Sequence, residues 1–277
     1  MPRRNVNVVV ISDVHLGTYG CHAQELLQYL KSIKPSLLII NGDFVDIWNF
    51  SKRYFPPSHL AIIQEVLNMI SQGTRVIYVT GNHDEKLRQY SETTIGGLQI
   101  VDKLLMEIDG KMCWIFHGDV FDATTQGSAK FFAKLGGKGY DLLILLNRSI
   151  NWCLKVFGKE KMSFSKKVKD GVKQAVAFIN NFETTAADLA IDKKYDYVIC
   201  GHIHQPQKKE YKNEKGSVMY LNSGDWVENL TALEYSNKEW SIYTYDATAF
   251  EKVQIKKASQ ALNVLSEEIN IYLNTII

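Results

Sequence analysis

The sequence predicts an α/β fold. Short apolar, β-branched runs alternate with stretches of helical periodicity. Five of those runs stop at a carboxylate, an imidazole or an asparagine amide, most of them beside glycine. The composition sets the scale: 277 residues, 45% hydrophobic and 22% charged, can bury a sizeable core and exclude a disordered or fibrous chain.

Taken in order, Val6 to Ile11 is the first strand and runs into Ser12-Asp13-Val14-His15. Ala23 to Ile33 carries apolar residues at helical spacing, as a crossover helix should. Leu37 to Ile40 is a strand leading into Asn41-Gly42-Asp43, and Leu60 to Ile70 is the second crossover helix. Val76 to Val79 leads into Gly81-Asn82-His83-Asp84, and Trp114 to Phe116 into His117-Gly118-Asp119. Tyr197 to Cys200 leads into Gly201-His202-Ile203-His204. Ser217 to Leu221, Leu230 to Tyr235 and Trp240 to Tyr245 alternate as strands of a second sheet, with turns at Asn213 to Gly216 and Ser236 to Lys238. Residues Ala258 to Ile277 carry a helical apolar stripe suited to packing, to a dimer contact or to a membrane-facing helix.

The C-terminal ends of parallel strands open on one side of a sheet, where ligands bind. Five of the seven histidines fall in these five motifs. His22 reads as part of a surface loop, and His59, after Pro56-Pro57, is assigned no role. In Asp-x-His and His-x-His both side chains face one way along an extended segment. Oxygen and imidazole donors without thiolate suit Mn, Fe, Zn or Mg and argue against a zinc-finger-type site. The candidate ligands are Asp13, His15, Asp43, Asn82, His117, His202 and His204. Seven are too many for one open metal and fit two divalent ions sharing a carboxylate, the arrangement that clamps a phosphoryl group.

Four scattered cysteines lack CxxC spacing, so neither a disulfide framework nor a thiolate site is expected, and a reducing compartment is. The N-terminal apolar stretch breaks at Asp13, too early for a signal peptide. The most apolar window, Leu142 to Phe157, is too short and too polar to span a bilayer.

Together, Asp13-x-His15, Gly42-Asp43, Gly81-Asn82-His83-Asp84, His117-Gly118-Asp119 and Gly201-His202-x-His204 resemble the complete motif set of the calcineurin-like metallophosphoesterases. The resemblance implies a sandwich of two sheets flanked by helices. It also implies one metal on Asp13, His15 and His204, a second on Asn82, His117 and His202, and Asp43 bridging. His83 then protonates the leaving oxygen or steadies the transition state, and Asp84 orients His83.

His117 and His202 stand 85 positions apart, against thirty to forty between the earlier motifs, so a segment is inserted. Phe131 to Leu135, Tyr140 to Phe157 and Val168 to Phe182 read as helices of a cap spanning residues 123–193. The core is then 1–122 with 194–250, and 251–277 is a helical tail. Ser128 to Lys173 holds eleven Lys or Arg against three acids, a charge of +8 that leaves −6 for the rest of the +2 chain. A lysine-rich helix can simply be a solvated face. Basic and strongly apolar together suit an anionic amphiphile or a membrane surface, and the leucine–isoleucine run suits lipid better than nucleic acid.

A helical cap at this place, the run Gly42 to Asp46 and Asn222-Ser223-Gly224-Asp225-Trp226 resemble the UDP-2,3-diacylglucosamine diphosphatases of lipid A biosynthesis. That resemblance implies cleavage of a lipid-linked nucleotide diphosphate to a sugar-1-phosphate lipid and UMP, with Mn2+ the first expectation. It also implies a cytoplasmic enzyme peripheral to the inner membrane. Asp122, Lys166, Lys167, Lys169 and Lys173 are the candidate substrate contacts. One position departs: commonly described members carry arginine where this chain has His83. The alternative is another nucleotide diphosphate, a phosphodiester or nucleic acid. A non-enzymatic scaffold is disfavoured because all seven ligand positions and His83 are retained.

Overall fold

The computed structural model describes residues 3–47, 54–121 and 166–250, and in the helix that opens the last stretch it describes side chains from Ala177 onward. Asp122, the expected helices at Phe131 to Leu135 and Tyr140 to Phe157, and the tail from Ala258 lie outside the described residues.

Strand β1 (Arg4–Ile11) is followed by α1 (Ala23–Ser32), β2 (Ile33–Asn41), α2 (Pro57–Ser71) and β3 (Arg75–Val79). Then come β4 (Thr93–Ile95), β5 (Leu98–Val101), β6 (Lys103–Ile108) and β7 (Lys111–Phe116). Helix α3 (Lys166–Asp192) precedes β8 (Tyr197–Cys200), β9 (Gln207–Asn213), β10 (Gly216–Asn222), β11 (Thr231–Ser236) and β12 (Glu239–Thr244). Pro57 opens α2, where its fixed φ and missing N–H cost nothing. The expected helix at Val168 to Phe182 belongs to α3, which runs on to Asp192.

The strands form a seven-stranded sheet in the order β12-β11-β1-β2-β3-β5-β4 and a five-stranded sheet in the order β6-β7-β8-β10-β9. Alternation along β1 builds both sides of the first sheet, since successive side chains point to opposite faces. Val9 and Ile11 pack with Leu26, Tyr29 and Leu30 of α1 and Ile62, Val66 and Met69 of α2. Val8 and Val10 face the other sheet, meeting Cys113, Ile115, Ile199 and Leu221. The outer face of the five-stranded sheet is covered by Phe182, Ala186, Ala187, Ala190 and Ile191 of α3. The order of layers is helix, sheet, sheet, helix. Among the described residues no helix is long and apolar enough to cross a membrane.

Two expectations are corrected. The five motif-bearing strands do not share one sheet: β1, β2 and β3 lie in the first, β7 and β8 in the second. Nor do the last three strands form a second sheet together. Only β10 is in the five-stranded sheet, while β11 pairs antiparallel with β1 and carries β12 with it. After β10 the chain is stitched across, with Trp226 N–H donating to Asp13 O at 3.1 Å, which delivers β11 to the open edge of β1. Alternation states which face a residue takes, not which neighbour its strand finds. The polar β9, Gln207-Lys208-Lys209-Glu210-Tyr211-Lys212-Asn213, carries no apolar alternation because it is an edge strand, where charge discourages further pairing. Strands β4, β5 and β6, of three, four and six residues, are too short for the sequence pattern to mark.

Candidate metal centre

The motif loops lie together at the ends of β1, β2, β3, β7 and β8. They leave their strands by an abrupt turn: Asp13, His15, Asp43, His202 and His204 all have left-handed backbone, with φ of 52°, 53°, 52°, 67° and 54°. Each such non-glycine residue costs on the order of 1–2 kcal/mol. The loops are locked against relaxation by cross-bonds. Asp13 N–H donates to Gly42 O at 3.2 Å, Val14 and His15 N–H to Asp43 O at 3.0 and 2.9 Å, and Leu16 N–H to Phe44 O at 2.9 Å.

Two glycines are required by close approach. A Cβ on Gly42, itself at φ +82°, would stand 2.2 Å from His117 Nδ1. One on Gly81 would stand 2.2 Å from Asp43 Oδ1. Each glycine admits a candidate ligand from a different strand.

The two central carboxylates are buried and divide their oxygens. Asp13 Oδ2 accepts the His202 N–H at 3.0 Å, and Asp43 Oδ1 accepts the His83 N–H at 2.8 Å. The remaining oxygens face imidazoles: Asp13 Oδ1 lies 3.2 Å from His204 Nε2, and Asp43 Oδ2 lies 3.2 Å from His117 Nε2 and 3.9 Å from His15 Nε2. His117 Nδ1 pairs with the backbone oxygen of Asn41 at 2.9 Å, which directs Nε2 to the cluster. The His15 ring stands 5.4 Å from that of His204, and the His117 ring 5.1 Å from that of His202.

Sequence reasoning expected Asp84 to orient His83. The carboxylate facing His83 is Asp46, with Oδ2 3.1 Å from Nδ1 and 3.8 Å from His15 Nδ1. Asp84 is fully buried and braces backbone instead. It accepts from Gly81 N–H at 2.6 Å, Phe44 N–H at 3.0 Å and Tyr78 OH at 2.5 Å. His59, assigned no role above, accepts the Gly17 N–H at 2.9 Å and so holds the far end of the first loop. Asp225 Oδ1 accepts the N–H groups of Val227 and Glu228, and its Oδ2 is 3.9 Å from His204 Nδ1. Asp46 and Asp225 sit inside runs noted for their resemblance, whereas nothing local marks His59. His22 is partly exposed and faces Glu25 at 3.4 Å.

The electrostatics are those of a cation-binding site. Burial disfavours the Asp13 carboxylate, but His204 overrides it and holds the group at a pKa of about 2. Burial disfavours the His204 cation, yet Asp13 raises that imidazole to about 9. His117 is likewise raised well above its ordinary value, because Asp43 outweighs burial. Burial opposes the His83 cation too, and Asp46 reverses the shift.

Three groups of these side chains can each hold a metal ion: Asp13 with His15 and His204; His15 with Asp43 and His83; Asp43 with His117 and His202. Asp43 belongs to two of them. His15 Nε2 and Asn82 Oδ1 are buried with no hydrogen-bond partner among the described residues, the signature of donors meant for a ligand. Oxygen and nitrogen donors alone, with shared Asp43, fit divalent cations. Of the candidate substrate contacts, Lys166, Lys167, Lys169 and Lys173 fall on α3 before its described side chains, and Asp122 falls outside the described residues.

Residues 6–206 match the profile of the calcineurin-like phosphoesterases. A UDP-2,3-diacylglucosamine hydrolase of Blochmanniella pennsylvanica is 24% identical over 251 residues, covering 89% of this chain and 98% of that protein. One from Ralstonia nicotianae is 24% identical, covering 79% of this chain and 83% of its own. The solved structure of an archaeal phosphodiesterase is 16% identical, covers 86% of this chain and 98% of its own, and has a TM-score of 0.43.

Proposed function

The chain belongs to the calcineurin-like phosphoesterase family of metal-dependent phosphohydrolases, and we propose that it hydrolyses UDP-2,3-diacylglucosamine to 2,3-diacylglucosamine 1-phosphate and UMP. The observation that carries this reading is the buried oxygen–imidazole cluster in a chain that aligns over nearly its whole length with hydrolases named for that substrate.

Asp13, His15 and His204 are proposed to hold one ion and Asn82, His117 and His202 the other, with Asp43 between them. When bound there, two divalent cations clamp phosphoryl oxygens and acidify water. Mn2+ is the proposed metal, with Fe, Zn and Mg as alternatives. The chain's own contribution is orientation. Asp13 and Asp43 each tie down a loop with one oxygen and present the other to the cluster. Asp46 faces Nδ1 of the partly buried His83 and orients the ring, and His83 is the proposed proton donor to the leaving oxygen. Asp84 acts by holding the Gly81 and Phe44 amides rather than by touching His83. Residues 123–193 are read as the inserted cap that takes the acyl chains, its last turns from Phe182 to Ile191 packing on the five-stranded sheet, with Asp122, Lys166, Lys167, Lys169 and Lys173 as the candidate substrate contacts. The +8 segment from Ser128 to Lys173 supports peripheral attachment to the cytoplasmic face of the inner membrane.

The test is UMP release from mass-tagged UDP-2,3-diacylglucosamine by Mn2+-loaded protein. Folded, metal-loaded protein that releases none overturns the substrate. His83, standing where commonly described members carry arginine, favours a second reading as hydrolase of another nucleotide diphosphate or a phosphodiester. Far faster turnover of a model phosphodiester selects it.

A further inference from the structure

Behind one pair of imidazoles stands a ring that none of the five motifs supplies. Phe182 of α3 is 1% exposed. A Cβ built on Gly118 would meet Phe182 Cζ at 2.6 Å and Cε2 at 2.9 Å, and His202 Cβ at 3.2 Å. Gly118, which follows His117 directly, therefore packs against both the phenylalanine and the last motif. The Phe182 and His202 ring centroids are 6.2 Å apart, and the His202 and His117 centroids 5.1 Å. Phe121, whose N–H closes a turn onto Gly118 O at 3.0 Å, meets Phe182 edge-on at 5.5 Å.

The ring cannot drift from this place. Ala186, Ala187 and Ala190 are fully buried one and two turns further along α3 and seat it closely on the five-stranded sheet. Gly201 N–H, donating to His117 O at 2.9 Å, ties the two imidazole loops together beneath it. Close-packed interiors transmit such constraints because they have few voids to absorb a displacement.

We propose that Phe182 is a positioning residue for the His117–His202 pair: the helix ring fixes the Gly118 turn and the His202 imidazole, so one ion position depends on α3 and the other does not. This rests on the ligand assignment proposed above.

The test uses the full chain, stripped with chelator and titrated with Mn2+ by calorimetry, with circular dichroism confirming the fold. The expected result is uptake of two ions by the unaltered protein. In Phe182→Ala one ion binds about 10–100-fold more weakly, as when a group supporting a ligand is lost, while the other keeps its affinity. Phe182→Leu recovers part of the loss. In a His202→Ala background, Phe182→Ala changes nothing further at the remaining ion. Phe182→Ala that binds both ions normally, or weakens both alike, overturns the proposal and leaves the ligand assignment standing. His202→Ala that takes up two ions with unaltered affinity overturns the assignment itself. Should Phe182→Ala not fold, Phe182→Leu decides on the same criterion: one ion weakened supports the role, neither weakened overturns it.

Discussion

Loops leaving the seven-stranded sheet bring the carboxylates Asp13 and Asp43 to the site, and polar bonds hold them. Loops leaving the five-stranded sheet bring His117, His202 and His204, and behind the first two packs an aromatic ring. The difference follows from charge. A buried carboxylate is tolerable only when paired and hydrogen-bonded, so Asp13, Asp43 and Asp84 each gather N–H or O–H donors. The imidazoles add packing to pairing: His117 and His204 face Asp43 and Asp13, while the His202 ring also meets Phe182. Loss of a donor should therefore disturb charge and fold together, whereas loss of packing should loosen one ligand pair.

The severest break is at the residue both halves share. Asp43 lies in two of the three metal-holding groups, so Asp43→Ala should lower hydrolysis at least about a thousandfold by disabling both positions at once. Metal content measured beside turnover checks it; two retained ions with near-normal turnover would show that Asp43 is not shared.

Next come the braces. Asp84→Ala strands the Gly81 and Phe44 amides and the Tyr78 hydroxyl in the interior and should cost about 3 kcal/mol or more. Phe182→Ala leaves a cavity and should cost about 3–5 kcal/mol. In urea unfolding the two are alike. They separate in the metal-free state, where Asp84→Ala should also displace the Asn82–His83 loop in amide spectra and Phe182→Ala should not.

A smaller effect follows from the Asp13–His204 pair. Without metal the His204 pKa is raised to about 9, so the ring is protonated at neutral pH and an ion must displace that proton. Apparent affinity should rise about tenfold per unit from pH 7 towards 9 and then level off. For stability the signs are opposite within the pair. Stability from His204, raised in the fold, is complete below its unfolded value near 6.5 and is lost as pH rises through about 9. Stability from Asp13, lowered to about 2, is complete above about 4 and is lost as pH falls towards 2. Metal-free protein should thus draw most from the pair between about pH 4 and 6.5, and a thermal-melting series reads it. Asp13→Asn should flatten the alkaline side.

The smallest effect is expected at His59. His59→Leu removes the acceptor for Gly17 N–H and should cost about 1–2 kcal/mol. Because His59 touches the first loop at its far end, Mn2+ affinity should move less than in Phe182→Ala. A larger loss in calorimetry would mean that the polar half is braced as tightly from its helix side as the other half.

Much of the site was legible because its grammar is local. Asp-x-His and His-x-His mark the loops that bring donors together, and the neighbouring glycines announce close approach, as Gly42 and Gly81 bear out. The extended course expected for those motifs is not found, because all four residues take left-handed backbone and His202 and His204 fall in different metal-holding groups. The turn at Ser236 to Lys238 was legible too, since Asn237 and Lys238 take the positive φ of a tight hairpin. Asp84 misled because proximity in sequence to His83 suggested proximity of side chains. Asp46, on the loop after another strand, is the one that faces the ring. His59 and Phe182 lay on helices whose periodicity explained them as packing.

By itself, then, the sequence determined the donor chemistry, the strand ends that carry it and the faces that strands and helices bury, because alternation and helical spacing act over a few residues. Only the tertiary structure decided that the donors come from two sheets, that β11 pairs with β1 rather than extending β10's sheet, and which carboxylate meets which imidazole. Those outcomes depend on strand pairing between residues more than two hundred positions apart, such as Val9 opposite Glu234, and a hydrophobic pattern specifies a buried face without naming the partner that covers it.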